Sequence, residues 1–473
     1  MLFNSFIFFV FAALFFLMWK LVPPAARRLR WVLLIASSSV FYGWWDWRFL
    51  FLLAGTGLVD FLAALGMALH PNRKKPLLVA SMLCNVVVLG VFKYLGFFTR
   101  SLNAALGLAG GGWHVPAVDL VLPVGISFYT FQSMSYTIDV YRGDLRPTRD
   151  PLHFFAMISL FPHLVAGPIL RARNILPQLA DMRRPTEEQR WDGLRLIVCG
   201  YFKKVVLADN IAPVVNQAFG APSIPHASLY WWVITTMFAM QIYCDFSGYT
   251  DIARGLAKWM GIEFPLNFNH PYFASSFRDL WRRWHISLSS WWMEYVYIPL
   301  GGSRKGTVRA HWNMWVTMLV SGLWHGAAWT FVIWGALHAA FLSVERVSKW
   351  PVRLGALPGG RLLVSAVLVS QVWVAWVFFR AESLAQALRI TSAMLDVRQL
   401  GIQSALAIGK LNLCVLVAAL LTEALLWSAP RWWRSPIAPP SLWTIAESVI
   451  ISLTAAACVY LRGPGSAFIY FQF

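Results

Sequence analysis

The run Met314-Trp-Val-Thr-Met-Leu-Val-Ser-Gly-Leu-Trp-His-Gly-Ala-Ala-Trp-Thr-Phe-Val-Ile-Trp-Gly-Ala-Leu-His-Ala-Ala-Phe341 contains no Asp, Glu, Lys or Arg. About 20 apolar residues in a helix cross the roughly 30 Å hydrocarbon core of a bilayer, so this run is long enough to span a membrane. It nevertheless holds two histidines, His325 and His338. Runs of the same kind recur through the chain, in which 58% of the 473 residues are hydrophobic and 13% charged. A water-soluble domain carries about 25% charged residues. The chain therefore reads as an all-α integral membrane protein, a multi-spanning bundle of about 11–13 membrane helices. The divisions expected are N-terminal spans over 1–150, a chemically active core over 151–345 and C-terminal spans over 346–473.

The formal charge of +19 does not point to nucleic acid. The cations sit in short clusters between apolar runs: Arg27-Arg28-Leu29-Arg30, Arg73-Lys74-Lys75, and Arg142 to Arg149. That is the pattern of cytoplasmic loops flanking spans, and there is no soluble basic domain to carry nucleic-acid binding. Placing Lys20–Arg30, His70–Pro76 and Tyr141–Asp150 in the cytoplasm, and the Gly-rich loop Gly107–Gly112 outside, gives spans near Trp31–Trp45, Phe49–Leu69, Leu77–Phe98 and Leu120–Tyr136. The N-terminus then lies outside, with residues 3–19 kept as the first span because they lack a basic n-region and a cleavage site. The five cysteines are scattered without Cys/His ligand spacing, so neither a disulfide framework nor a metal site is expected.

Between Phe154 and Pro177 the apolar sequence is interrupted by Pro162, His163, Gly167, Pro168 and two arginines. Such backbone is tolerated at membrane depth only where protein or a cavity covers it, so a broken or re-entrant segment is expected. Polar groups then concentrate from Tyr243 to Gly302, including Asp245, Asn267, Asn269, His270, Arg282, Arg283 and His285. Read as one helix, Phe277–Trp292 places Phe277, Leu280, Trp281, Trp284, Leu288, Trp291 and Trp292 on one stripe, opposite Arg278, Asp279, Arg282, Arg283, His285 and Ser289. Such a helix either anchors in the interface or lines a polar cavity. Asp279 with Arg282 or Arg283 is read as an ordinary helix-face ion pair.

A histidine inside a membrane segment is costly and usually faces the bundle interior or a wet path. Around His325, the small residues Ser321, Gly322, Gly326 and Ala328 are read as leaving room for a substrate. Imidazole takes a hydroxyl proton near neutral pH. The alternative is a packing histidine satisfied between helices. His338, without small neighbours, is read as structural.

Asn267-Phe-Asn-His-Pro-Tyr-Phe273, Leu280-Trp-Arg-Arg-Trp-His-Ile-Ser-Leu-Ser289, Tyr297-Ile-Pro-Leu-Gly-Gly-Ser-Arg304 and Gly322-Leu-Trp-His-Gly326 together resemble the membrane-bound O-acyltransferase (MBOAT) superfamily, and within it the branch that O-acetylates alginate. Phe161-Pro-His-Leu-Val-Ala-Gly-Pro168, Gln241-Ile-Tyr-Cys-Asp-Phe-Ser-Gly-Tyr249 and the closing Phe468-Ile-Tyr-Phe-Gln-Phe473 match as well. The resemblance implies an invariant histidine at His325 and a second polar site at His285, in a helical bundle with re-entrant segments around a central tunnel. It implies no bound cofactor. The donor would be acetyl-coenzyme A or an acyl-carrier thioester entering from the cytoplasm of a bacterium, with the chain in the inner membrane. The acceptor would come from the other side, so that transfer itself carries the acetyl group across.

The partners implied are membrane lipid, a periplasmic acetyltransferase of the SGNH-hydrolase type and a polysaccharide synthase complex. Asn267, Asn269 and Trp324 are candidate donors to an oxyanion, and Arg282 and Arg283 candidate holders of donor phosphates. Ala328, His270 and Glu294 depart from residues common in close relatives, which bears on substrate rather than reaction type. A transporter or flippase is the competing class.

Overall fold

The computed structural model describes residues 1–110, 113–116, 120–428 and 442–471. The end of the Gly-rich loop (111–112) and of the closing motif (472–473) lie outside the described residues. Every regular element among the described residues is helical. Five segments are long and apolar enough to cross a membrane: Arg48–Leu69, Pro71–Leu108, Trp329–Ser348, Gly360–Arg380 and Lys410–Ser428. Phe6–Leu21 and Ile445–Tyr460 are shorter apolar helices. Contacts divide the chain into two compact units, 1–193 with 253–265, and 194–252 with 266–473.

In the first unit, the helices Arg48–Leu69, Lys74–Leu89 and Ile126–Arg142 pack together around a carboxyl group. Asp60 is fully buried and accepts from Ser81 Oγ at 2.5 Å, Asn85 Nδ2 at 2.9 Å and Ser133 Oγ. A carboxyl removed from water needs such donors, and here they come from two neighbouring helices. The interrupted stretch after Phe154 does break, into the short helices Pro151–Ile158, Phe161–Leu164 and Ala172–Ala180. All of Phe161–Pro168 is buried, and His163 meets Gln132 Oε1 at 2.6 Å. Gly125 has φ +75°, and a Cβ there would meet the Leu164 carbonyl oxygen at 2.3 Å, so glycine is required both by conformation and by close approach.

In the second unit, the quoted run does not form one rod. It is two helices, Thr307–His325 and Trp329–Ser348, joined by an extended turn at Gly326 to Ala328. The two pack closely along their length. Glycine is what lets them meet: a Cβ on Gly322 would lie 2.3 Å from the Phe331 carbonyl oxygen, and one on Gly335 would lie 2.4 Å from that of Met318. Small residues permit this backbone approach between membrane helices. Replacing Gly322 with alanine is expected to cost about 1–3 kcal/mol by overpacking, read as a lower unfolding temperature of the purified protein in detergent. An unchanged temperature would mean the two helices separate freely.

Candidate active site

The stripe read across Phe277–Trp292 is interrupted at the residue that matters. The helix Phe277–Arg283 ends at Trp284, His285 takes a left-handed conformation (φ 42°, ψ 56°), and a second helix, Ile286–Trp292, begins. The continuous helix expected from periodicity is therefore wrong. The cause is the segment Asn267–Asn269, which takes backbone bonds that an unbroken helix would make internally. Asn269 N–H donates to the Arg283 carbonyl at 2.9 Å, and Ile286 N–H to that of Asn267 at 2.9 Å.

The same segment holds the His285 ring. Asn267, itself fully buried, accepts at Oδ1 from Ser287 Oγ (2.8 Å) and Ser287 N–H (3.2 Å), and lies 3.1 Å from His285 Nδ1. A backbone N–H is an obligatory donor, so Oδ1 is the oxygen and Nδ1 must donate to it. A neutral imidazole then presents its lone pair at Nε2. Phe246 packs edge-on to the His285 ring with centroids 4.7 Å apart, Phe268 stacks on it at 6.2 Å and Trp324 lies at 6.0 Å.

His325 is the last residue of its helix and 4% exposed. Its ring is walled by Trp334 at 4.9 Å, Trp324 at 5.0 Å, Phe379 at 5.3 Å and Tyr470 at 5.8 Å. Tyr470 in turn lies 4.6 Å from Phe246. The two histidines thus share one aromatic box, joined through Trp324 on one side and through Phe246 and Tyr470 on the other. At two of the small residues read as leaving room beside His325, the space is filled by packing. Gly322 is taken up by helix packing, and a Cβ on Gly326 would strike the Phe331 ring at 2.0 Å.

Of the other sequence candidates, Ser321 and Trp324 are buried with the box. Asn269 and Arg282 are exposed. Arg283 is engaged by Asp279 at 3.0 Å, the ordinary helix-face pair. His338 sits in a nest of rings, 4.4 Å from Trp334 and 5.1 Å from Trp281, in keeping with a packing role. Metal-ligand clusters are absent among the described residues.

A cavity of about 280 Å³, with charged and polar residues in its wall, is lined in part by Phe268, whose ring stacks on that of His285. Its wall includes Lys203 paired with Asp251 at 2.8 Å, and His270 paired with Glu423 at 2.8 Å. Glu423 also accepts from the Tyr243 hydroxyl at 2.9 Å. Sequence reasoning passed over Lys203 and Glu423, and quoted Tyr470 within the closing motif without giving it a role. Glu423 had a signal, being the sole carboxylate in the apolar run Lys410–Ser428. Tyr470 had its motif as a signal, but its contact with His325 joins positions that local periodicity does not relate.

These features define an all-helical membrane protein with paired, enclosed histidines and a cavity with charged and polar residues in its wall. The model of the MBOAT family, membrane-bound O-acyltransferases, matches residues 144–384. A probable alginate O-acetylase, AlgI, from Pseudomonas putida is 36% identical over the whole of both chains. One from Azotobacter vinelandii is 41% identical over 83% of this chain and 78% of its own. A peptidoglycan O-acetyltransferase from Helicobacter pylori is 36% identical over 76% and 73%. The chain belongs to the membrane-bound O-acyltransferase family and is an O-acyltransferase.

Proposed function

We propose that this protein takes an acetyl group from a cytoplasmic thioester and passes it across the inner membrane of a bacterium for O-acetylation of an exported polysaccharide, alginate in the first place. The observation that carries the reading is the shared box around His285 and His325. Full-length similarity to a relative named for alginate acetylation supports the polymer. The second reading, acetylation of peptidoglycan, is favoured by the similarity to the Helicobacter pylori enzyme. Cellulose and D-alanyl transfer to teichoic acid stand behind these.

His325 acts as the general base. A hydroxyl is a poor nucleophile toward a thioester until its proton is taken. His285, with Nδ1 committed to Asn267, offers Nε2 to orient the acceptor hydroxyl. Trp324, whose indole ring adjoins both imidazoles, supplies an N–H donor for the oxyanion of the tetrahedral intermediate. The enclosed rings keep water out, so the acetyl carbon–sulfur bond breaks as the new carbon–oxygen bond to the acceptor forms, and the departing thiol takes the proton back from His325. Arg282, exposed at the end of its helix, meets the phosphates of coenzyme A or of a carrier's phosphopantetheine. The N-terminus is periplasmic, and the acetyl group leaves to an SGNH-hydrolase-type partner that serves the synthase complex.

The test is consumption of acetyl-coenzyme A, and separately of an acetylated carrier protein, by the purified full-length protein in bilayer discs. Turnover of either is expected, and turnover of neither supports a flippase instead. In the same assay His285→Asn is expected to lower the rate by about 10-fold or less, since a second side chain with a polar end replaces an orienting group. A loss as large as that from removing His325 would instead make His285 the proton-transfer residue.

A further inference from the structure

The motif Gln241–Tyr249 contributes two ring contacts to the site, through Phe246, but its aspartate remains unexplained. Asp245 is 2% exposed and lies on the helix Ser228–Met260. Its Oδ1 is 2.9 Å from Lys204 Nζ, and its Oδ2 accepts from the Ile469 N–H at 2.8 Å. Lys204, 4% exposed, belongs to a π-helical turn, Phe202–Ala208. Such turns re-aim side chains and are frequent at functional sites.

The Lys204 ammonium forms ion pairs with Asp245 Oδ1 and Asp209 Oδ1, each at 2.9 Å, and donates a hydrogen bond to the Ser466 carbonyl at 3.0 Å. Two further bonds run to the same strap: Gly463 N–H to the Val205 carbonyl at 2.8 Å, and Asn210 Nδ2 to the Leu461 carbonyl at 2.9 Å. The polar groups of Lys204, Asp209, Asn210 and Asp245 thus converge on residues 461–469. That strap then places Phe468 4.9 Å from Tyr249 and Tyr470 5.8 Å from His325. Burying a lysine and two aspartates is costly unless every partner is in place, which makes the strap part of the ionic cluster rather than a loose end.

We propose that Asp245, with Lys204 and Asp209, is a positioning residue that clamps the C-terminal strap and so holds Tyr470 against the His325 ring. The role rests on the acyl-transfer reading of that box. It acts through Tyr470, since neither Asp245 nor Lys204 is among the groups that wall either histidine.

Asp245→Leu removes the acceptor of the Ile469 N–H while leaving Lys204 paired with Asp209, so no unbalanced charge is buried. In the purified full-length protein, amide exchange across residues 462–471 is expected to quicken by at least about tenfold, because the bonds that protect it are lost. The rate constant for acetyl-coenzyme A consumption is expected to fall by at least about tenfold, with KM changed by less than about twofold, as for a group that serves only the reacting geometry. Asp245→Asn, which keeps an acceptor oxygen, should restore part of both. Gly463→Val tests the clamp from the strap side and keeps the charged side chains of Lys204, Asp209 and Asp245. A Cβ there meets the Asp209 backbone at 2.5 Å, and the same pair of changes is expected. Faster exchange with unchanged turnover would overturn the proposal, and so would slower turnover with unchanged exchange. Failure of the acyl-transfer reading itself would show differently, as absent turnover in the unmodified protein while the exchange effect persists.

Discussion

His325→Ala is expected to abolish acetyl transfer, with a fall of about 10²–10⁴ in turnover, the usual contribution of a positioned general base. The ring it removes is packed against Trp334, Trp324, Phe379 and Tyr470, so the variant also opens a void. Large-to-small changes in a packed core cost about 2–5 kcal/mol, enough to lower the amount of folded protein. Activity must therefore be referred to folded protein, by gel filtration in detergent beside polysaccharide acetylation in cells. His325→Gln fills most of the volume and keeps polar atoms but cannot shuttle a proton at neutral pH. It should fold better than the alanine variant and transfer no faster. Normal acetylation at normal protein level in either variant would remove His325 from the chemistry.

Asn267→Leu is expected to have the second largest effect, mainly on stability. One side-chain oxygen accepts from His285 Nδ1, Ser287 N–H and Ser287 Oγ. Leucine removes that shared acceptor from a fully buried position. Each buried polar group left unsatisfied costs about 1–3 kcal/mol, and total stabilities are only about 5–15 kcal/mol. The variant should unfold at markedly lower temperature, and any folded fraction should have lost the fixed orientation of the imidazole. Asn267→Ser, which retains an acceptor, should fall between. A leucine variant with unchanged unfolding temperature would show that the His285 turn is held by the backbone bonds to residues 267 and 269 alone.

The membrane class and the broken segment after Phe154 were both legible in the sequence, for a common reason. Each depends on the free energy of placing particular groups in hydrocarbon, which is a property of the residues themselves. The break at His285 was not legible. Left-handed backbone is normally flagged by glycine or asparagine, and here a histidine carries it because residues 267–269 supply the competing hydrogen bonds. The small residues near His325 were visible but misread. Their spacing is that of a substrate cradle and equally that of close helix packing, and only the partner helix Trp329–Ser348 decides between them. Tyr470 and Asp245 stood in quoted motifs, but what they touch was hidden for a third reason. The contacts joining Asp245 to Ile469 and His325 to Tyr470 cross most of the second half of the chain, and periodicity reports only on neighbours a few turns apart. Glu423 was the avoidable omission, since a carboxylate alone in an apolar helix asks for a partner, and that partner is His270.

Three non-glycine residues among those described have positive φ, and two of them are His270 and His285. Each departs from the conformation its side chain favours, at roughly 1–2 kcal/mol. Both lie at the ends of the short stretches that interlock around Asn267, one lining the cavity and the other inside the aromatic box. Heat resistance has thus been surrendered at two points, both beside the enclosed imidazoles. Glycine at either position would relieve the backbone but forfeit the packing and the hydrogen bond that the imidazole makes there, so the strain is retained for what the ring does.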